Sequence, residues 1–158
     1  MSKAVLISIR PEWCEKIVTG QKTIEVRKTR PKMNPPFKCY IYKCGSGKVI
    51  GEFVCDEIIS IDGAGRIQSD IARPTCLEPA ELHRYLGAAV GYGWHISNLK
   101  IYDHPCEVSS FRGACKNDWW CESCAMYSER GGTCRNAGLQ ITRPPQSWRY
   151  VEEELWNG

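Results

Sequence analysis

Lys22, Glu25 and Arg27 stand within one short stretch, Gly20-Gln-Lys-Thr-Ile-Glu-Val-Arg-Lys28. In an extended chain successive side chains point to opposite faces, so Thr23, Glu25 and Arg27 share one face and Ile24 and Val26 the other. Lys22 sits at the start of the strand, where alternation binds least. An arginine so placed can hold a phosphate in a bidentate way, and Lys22 adds donors. Glu25 either orients Arg27 through an ion pair or accepts a proton from an exocyclic amine. A Lys–Glu pair can also activate a water for hydrolysis. The plain alternative is a solvated charge cluster on a half-buried strand. The crowding of polar groups at a helix–strand turn favours a site.

A second constellation is Cys115-x5-Cys121-x2-Cys124-x9-Cys134. The Cys121-Glu-Ser-Cys124 pair can direct two thiolates at one ion, as zinc knuckles and ribbons do. Cys115 and Cys134 then complete a four-thiolate Zn²⁺ shell with no position left for water, which marks a structural ion. Cys106 and His104 are spare ligands. The alternatives are free thiols, or a redox pair at Cys121 and Cys124. The segment holds few aliphatic residues between Pro105 and Gly138 and needs such a staple. Cys14, Cys39, Cys44, Cys55 and Cys76 read as small core residues.

Among the elements that carry these groups, Ala4–Ile9 is short and β-branched and predicts a buried strand. Pro11 suits the first turn of a helix, Glu12 its N-terminus and Gly20 its end. Trp13, Cys14, Ile17 and Val18 form its inner stripe. Thr23–Lys28 predicts the second strand, and Pro31, Pro35 and Pro36 break the chain after it. Cys39–Cys44 and Val49–Ile61 flank Gly45-Ser-Gly47 and predict a hairpin. Glu78–Leu86 predicts a helix with Leu82, Tyr85 and Leu86 inward and His83 toward solvent. Gly91 and Gly93 loosen the next connection, and Trp94–Tyr102 predicts a fifth strand, in which His95 satisfies a hydrogen bond. After Pro144-Pro145, the residues Trp148, Tyr150, Val151 and Leu155 predict a short strand or closing turn. The pattern is that of a strand-rich α+β domain, most economically a small barrel with two helices.

The 158 residues suffice for one domain with a core and a small appendage. The net charge of +3 by itself implies no nucleic acid. Its distribution says more: between Arg10 and Lys43 there are nine Lys/Arg against three Glu, while Glu152–Glu154 is acidic. No apolar run approaches the roughly 20 residues of a membrane span. The Ala4–Ile9 run is too short for a signal peptide, so the expectation is a cytosolic protein. There, ten cysteines point to metal or free thiols rather than to a disulfide framework.

The run Val5-Leu-Ile-Ser-Ile-Arg-Pro11 followed by Ile17-Val-Thr-Gly20-Gln-Lys22-Thr-Ile-Glu25-Val-Arg27 resembles the start of ASCH domains (activating-signal-cointegrator homology), whose hallmark is G-x-K-x-x-E-x-R. The resemblance extends to Gly51-Glu-Phe-Val54, Tyr92–Ser97 and Pro144–Val151, leaving out roughly residues 104–139. It implies a single PUA-like β-barrel domain over residues 1–158 with flanking helices and a Cys-rich insertion at about 104–139. The superfold is used mainly on RNA. It also implies a cleft beside the first helix and second strand, where Arg10, Lys22, Thr23, Glu25, Arg27, Ser147 and Trp148 would bind RNA or a modified nucleoside. Exposed N–H groups at the start of the Pro11 helix favour an anion there. Trp148 would either stack on a base or close the core with Tyr150. One branch of the family resembles amidohydrolases that deacetylate N4-acetylcytidine. This chain matches their Lys with Lys22 but carries Glu25 where they carry Thr. A hydrolase, either amidohydrolase or ribonuclease with Lys22 and Glu25 catalytic, is therefore the alternative, and a weak one. A third reading is a protein-interaction module acting through the zinc loop.

Overall fold

The structure, a computed structural model, describes residues 3–115 and 138–154. Six strands form one sheet in the order β2-β5-β4-β3-β1-β6. They are β1 (Lys3–Ile9), β2 (Ile24–Arg27), β3 (Phe37–Lys43), β4 (Lys48–Asp62), β5 (Val90–Glu107) and β6 (Trp148–Glu152). β1 runs parallel to β3, and the other pairs are antiparallel. The helices are α1 (Pro11–Val18), α2 (Ser69–Ala72), which continues into a 3-10 turn at Arg73–Thr75, and α3 (Pro79–Leu86). No helix among the described residues is long and apolar enough to cross a membrane.

β1 is buried on both faces, which is why its sequence is a continuous apolar run. Val5, Ile7 and Ile9 pack with Cys14 and Ile17 of α1, with Phe37, Cys39 and Ile41 of β3 and with Trp94 of β5. Ala4 and Leu6 pack on the opposite side against Tyr40, Val108, Phe111 and Ile141. A third cluster joins Ile24 and Val26 of β2 to Ile61, Ala72, Leu82 and Leu86. The apolar face expected for β2 is therefore buried, against α2 and α3.

The expected closed barrel is corrected here: the ladder is open, with β2 and β6 at its edges. β2 is four residues long and runs soon into Pro31, Pro35 and Pro36, which have no N–H to extend a ladder. Register shifts in β4–β5 bend the sheet, and side chains rather than backbone bonds cross the gap between its ends. The Trp148 indole N–H donates to Thr29 Oγ1 (3.0 Å), and the Lys32 backbone N–H donates to the Tyr150 hydroxyl (2.8 Å).

Gly91 and Gly93 do not loosen a connection but lie inside β5. A Cβ on Gly91 would sit 2.3 Å from Leu86 Cδ2, and one on Gly93 2.8 Å from Ile24 Cγ2. The glycines admit α3 and β2 at close range. Glu78 and Glu81 form a reciprocal capping box on α3. The ends of the Cys-rich insertion are tied together, since Gly113 N–H donates to Leu139 O (2.8 Å) and Gly138 N–H to Gly113 O (2.9 Å). Cys121, Cys124 and Cys134 lie outside the described residues, and Cys115 is half-buried.

Candidate functional site

A cleft of about 450 Å³ opens between α1, β2, α3 and the loop before β6. Of the residues expected there, Arg10, Lys22, Glu25, Arg27 and Ser147 line it. The geometry follows from β2. Its apolar side chains face α2 and α3, so Glu25 is turned to the other face, beside its cross-strand partner Trp94. Gly20, with φ of +79°, reverses the chain between α1 and β2. Lys22 follows it, and its backbone N–H donates to Lys16 O (3.0 Å).

The three motif side chains form one buried network. Lys22 is 3 % exposed and Glu25 6 %. Lys22 Nζ donates to Thr75 O at 2.7 Å and stands 3.4 Å from Glu25 Oε2. It also lies over the Trp13 ring, 5.1 Å from its centroid. Arg27 Nε donates to Glu25 Oε1 (3.1 Å), Nη1 to Ser147 Oγ (3.0 Å) and Nη2 to Ser8 O (2.6 Å). Glu25 thus bridges two cations. Its Oε2 nonetheless has no hydrogen bond, and neither does the buried indole Nε1 of Trp94. Burying a carboxylate is costly unless it is paired, and the two cations supply the pairing.

Two expected site residues lie elsewhere. Thr23 is not in the cleft wall; its backbone N–H donates to Pro74 O (2.9 Å) and its carbonyl accepts from Ile96 N–H (2.8 Å). Trp148 packs edge-on to Trp94 (5.8 Å) and Tyr150 (5.3 Å) and borders the main core. Its apolar surface is used in closing the fold.

Other groups line the cleft without having been expected there: Ser8, Trp13, Cys44, Glu81 and Tyr85. Ser8 clamps the loop before β6, its hydroxyl donating to Pro145 O (2.6 Å) and its N–H to Ser147 O (2.9 Å). Tyr85, expected inward, is 41 % exposed, with Lys28 Nζ over its ring at 4.9 Å. The helical period gave the signal: in α3 the buried positions are Leu82 and Leu86, and Tyr85 falls beside that stripe. Cys44 is half-buried rather than core. Behind it, Cys14 Sγ approaches Ile9 O (3.5 Å), and burial pushes its thiol up to about 12. Cys76 is also half-buried, in the left-handed region with φ of 60°.

The histidines are outside the cleft wall. His83 Nδ1 lies 2.7 Å from Gly63 O, so it is tied to the chain rather than turned to solvent. His95 Nδ1 lies 2.6 Å from Asp56 Oδ1, and that hydrogen bond lowers the carboxyl's pKa. Among the described residues no group of three or more His, Cys, Asp or Glu is placed to hold a metal ion.

A family model described as the ASCH domain matches residues 7–105. The chain is similar in structure to a crystallised ASCH protein from Zymomonas mobilis, with a TM-score of 0.64 and 20 % identity over 95 % of this chain and 88 % of that one. Two single-residue variants of that protein give TM-scores of 0.63 and 0.61 at 19 % identity, over 96 % and 95 % of this chain and 92 % and 89 % of theirs. At this identity the likeness concerns the fold. No curated protein matches the chain.

Proposed function

The chain belongs to the ASCH domain family, and from that premise we propose that its cleft binds RNA or a modified nucleoside, with Arg10, Lys22, Glu25, Arg27 and Ser147 in its wall. The observation that carries this reading is the concave arrangement of the family's Lys, Glu and Arg in one network, with the exposed Arg10 beside it. The family's PUA-like fold is generally linked to RNA binding. The excess of Lys and Arg between Arg10 and Lys43 supplies the longer-range attraction.

Binding of a short single-stranded RNA, measured between 50 and 200 mM salt, tests the proposal. Each phosphate contact should contribute about −0.7 to the slope of log K against log salt. Absence of binding to RNA, DNA and nucleosides at low salt would overturn the reading.

A hydrolase using the same cleft is the second reading. What favours it is Glu25 Oε2, buried without a hydrogen bond and 3.4 Å from Lys22 Nζ. A carboxylate so held can serve as a general base once a water reaches it. Against it, the amidohydrolase Thr is replaced by Glu25, and at best slow release of cytidine from N4-acetylcytidine is expected. Fast turnover that survives Glu25→Ala would show that the chemistry belongs to other residues.

A further inference from the structure

Resting on the reading of the cleft as a nucleoside or RNA site, we infer that Trp13 and Tyr85 hold an unpaired nucleobase by stacking, while Lys22 and Arg27 shape the cleft instead of gripping phosphate. The motif cations have partners already. The Lys22 ammonium donates to Thr75 O, faces Glu25 and covers one face of Trp13, with its side chain 2 % exposed. Arg27 directs Nε, Nη1 and Nη2 to Glu25, Ser147 and Ser8, with its side chain 12 % exposed. Arg27 cannot make a bidentate phosphate contact, nor Lys22 a single one, without giving up bonds that hold the fold together.

The groups that the cleft does present are of another kind. Trp13 comes from α1, where Cys14 and Ile17 are the buried positions; Trp13 itself is half-buried, bordering the main core with part of its ring and lining the cleft with the rest. Tyr85 comes from α3, beside the buried Leu82 and Leu86. Both rings line the one cleft. Each carries a lysine ammonium over its ring, Lys22 on Trp13 and Lys28 on Tyr85, which orients the ring at a cation–π distance. The cleft's volume of about 450 Å³ lies within the range of small-molecule sites. Aromatic surface in a concavity, with the exposed amide of Gln146 in the same wall and Glu81 beside it, whose Oε2 already accepts from the Glu78 N–H (2.7 Å) and whose Oε1 is the oxygen left to a ligand, suits a flat heterocycle with polar edges. The amide both donates and accepts, and the carboxylate accepts. A base inside a duplex offers no free face, so the ligand is a nucleoside or an unpaired base in a strand.

The test is calorimetric titration with nucleosides, with a short single-stranded RNA and with ribose 5-phosphate as a ligand lacking the base. Trp13→Ala and Tyr85→Ala should each weaken nucleoside binding by about 5- to 160-fold, the effect of losing one base–aromatic stack. Trp13→Phe and Tyr85→Phe, which keep a ring, should restore most of it, and ribose 5-phosphate should bind far more weakly than the nucleosides. Thermal melting checks that the variants fold; Tyr85, with its exposed ring, is the safer of the two sites. If the wild type binds nucleosides or RNA and the folded Ala variants bind equally well, stacking is wrong and the RNA reading survives. If the wild type binds none of these ligands, both fall.

Discussion

Arg27 Nη2, on edge strand β2, donates to the carbonyl oxygen of Ser8 on β1 at 2.6 Å, although three strands separate β2 from β1 in the sheet. The same guanidinium reaches Ser147, ahead of the other edge strand β6. One side chain thus joins the two ends of an open, curved sheet. Arg27→Lys keeps the charge but loses the planar fork, and an ammonium cannot serve Glu25, Ser8 and Ser147 together in the same geometry. We expect a loss of about 1.5–3 kcal/mol, the scale of a hydrogen bond to a charged group. Chemical denaturation checks it. A variant as stable as the wild type would show that the gap is held by Trp148–Thr29 and Lys32–Tyr150 alone.

Lys22 ties β2 to the turn at Thr75, which lies 53 residues further on. Lys22→Met removes the ammonium while retaining much of the buried stem. It leaves Glu25 with Arg27 as its single cation, and Thr75 O without its donor. Breaking a buried pair from one side costs about 3–5 kcal/mol. Hydrogen exchange should also rise in the 67–77 segment before the rest of the fold opens. Loss of RNA binding in this variant therefore counts as a lost contact only if exchange in that segment is unchanged.

That tie shows what the sequence could and could not reveal. β1, α1, β2 and the β3–β4 hairpin were legible because period, Pro11 and the Gly45–Gly47 turn agree there. The side-chain set Lys22, Glu25 and Arg27 was legible from alternation and the family motif. Its partners were not. Ser8 and Thr75 contribute backbone carbonyls, and a carbonyl leaves no mark in a residue type. β5 is longer than expected because glycines are ordinarily breakers, whereas Gly91 and Gly93 sit where Leu86 and Ile24 come too close for a Cβ. Trp148 carried both a stacking and a core reading in its sequence; contact with Trp94 assigns it to packing.

The glycines give a graded prediction. A Cβ on Gly63 would meet two backbone oxygens, of Ala89 and Gly87, each at 2.5 Å, and on Gly91 it would meet the end of the Leu86 side chain. Backbone yields less readily than a leucine tip. Gly91→Ala should cost about 1–3 kcal/mol, as overpacking does, and Gly63→Ala should cost more. The ranking of melting temperatures tests it, and the reverse order would show that the Gly63 loop shifts easily.

Burial pushes the Cys14 and Cys55 thiols up to about 12, from an ordinary 9.0. Above pH 9 the unfolded chain releases these protons while the folded chain keeps them. The stability they lend is therefore complete below pH 9 and is lost between about 9 and 12. Melting temperature should fall steeply across that window, and the slope should flatten in a Cys14→Ala/Cys55→Ala variant. Alkylation of the native protein should modify Cys44 ahead of Cys14, Cys39 and Cys55, which are buried. Equal labelling of all four would contradict this placement.

The Cys-rich insertion is anchored on both sides by described residues. Its stem is a pair of backbone bonds between Gly113 and the Gly138–Leu139 turn, reinforced by Ala114 N–H to Tyr150 O (3.2 Å) and Arg112 Nη1 to Gly138 O (2.9 Å). Residues 113 and 138 are therefore held side by side, with Cys115 two residues beyond the stem. Cys134 stands four residues before Gly138 in sequence. A segment tied at both ends and poor in aliphatic residues is the kind that a metal staples. We propose one structural zinc on Cys115, Cys121, Cys124 and Cys134, with Cys106 and His104 as the replacements if one of the four is not a ligand. Protein purified without added zinc should contain about one zinc per chain. Cys121→Ser and Cys124→Ser should each lower that content and raise proteolysis between Lys116 and Ala137. Because the stem bonds and the three core clusters are made by residues outside 116–137, chelation should leave the main melting transition nearly in place. Zinc-free protein with these cysteines joined as disulfides would refute the proposal, whereas a change of ligand to Cys106 or His104 would only alter its membership.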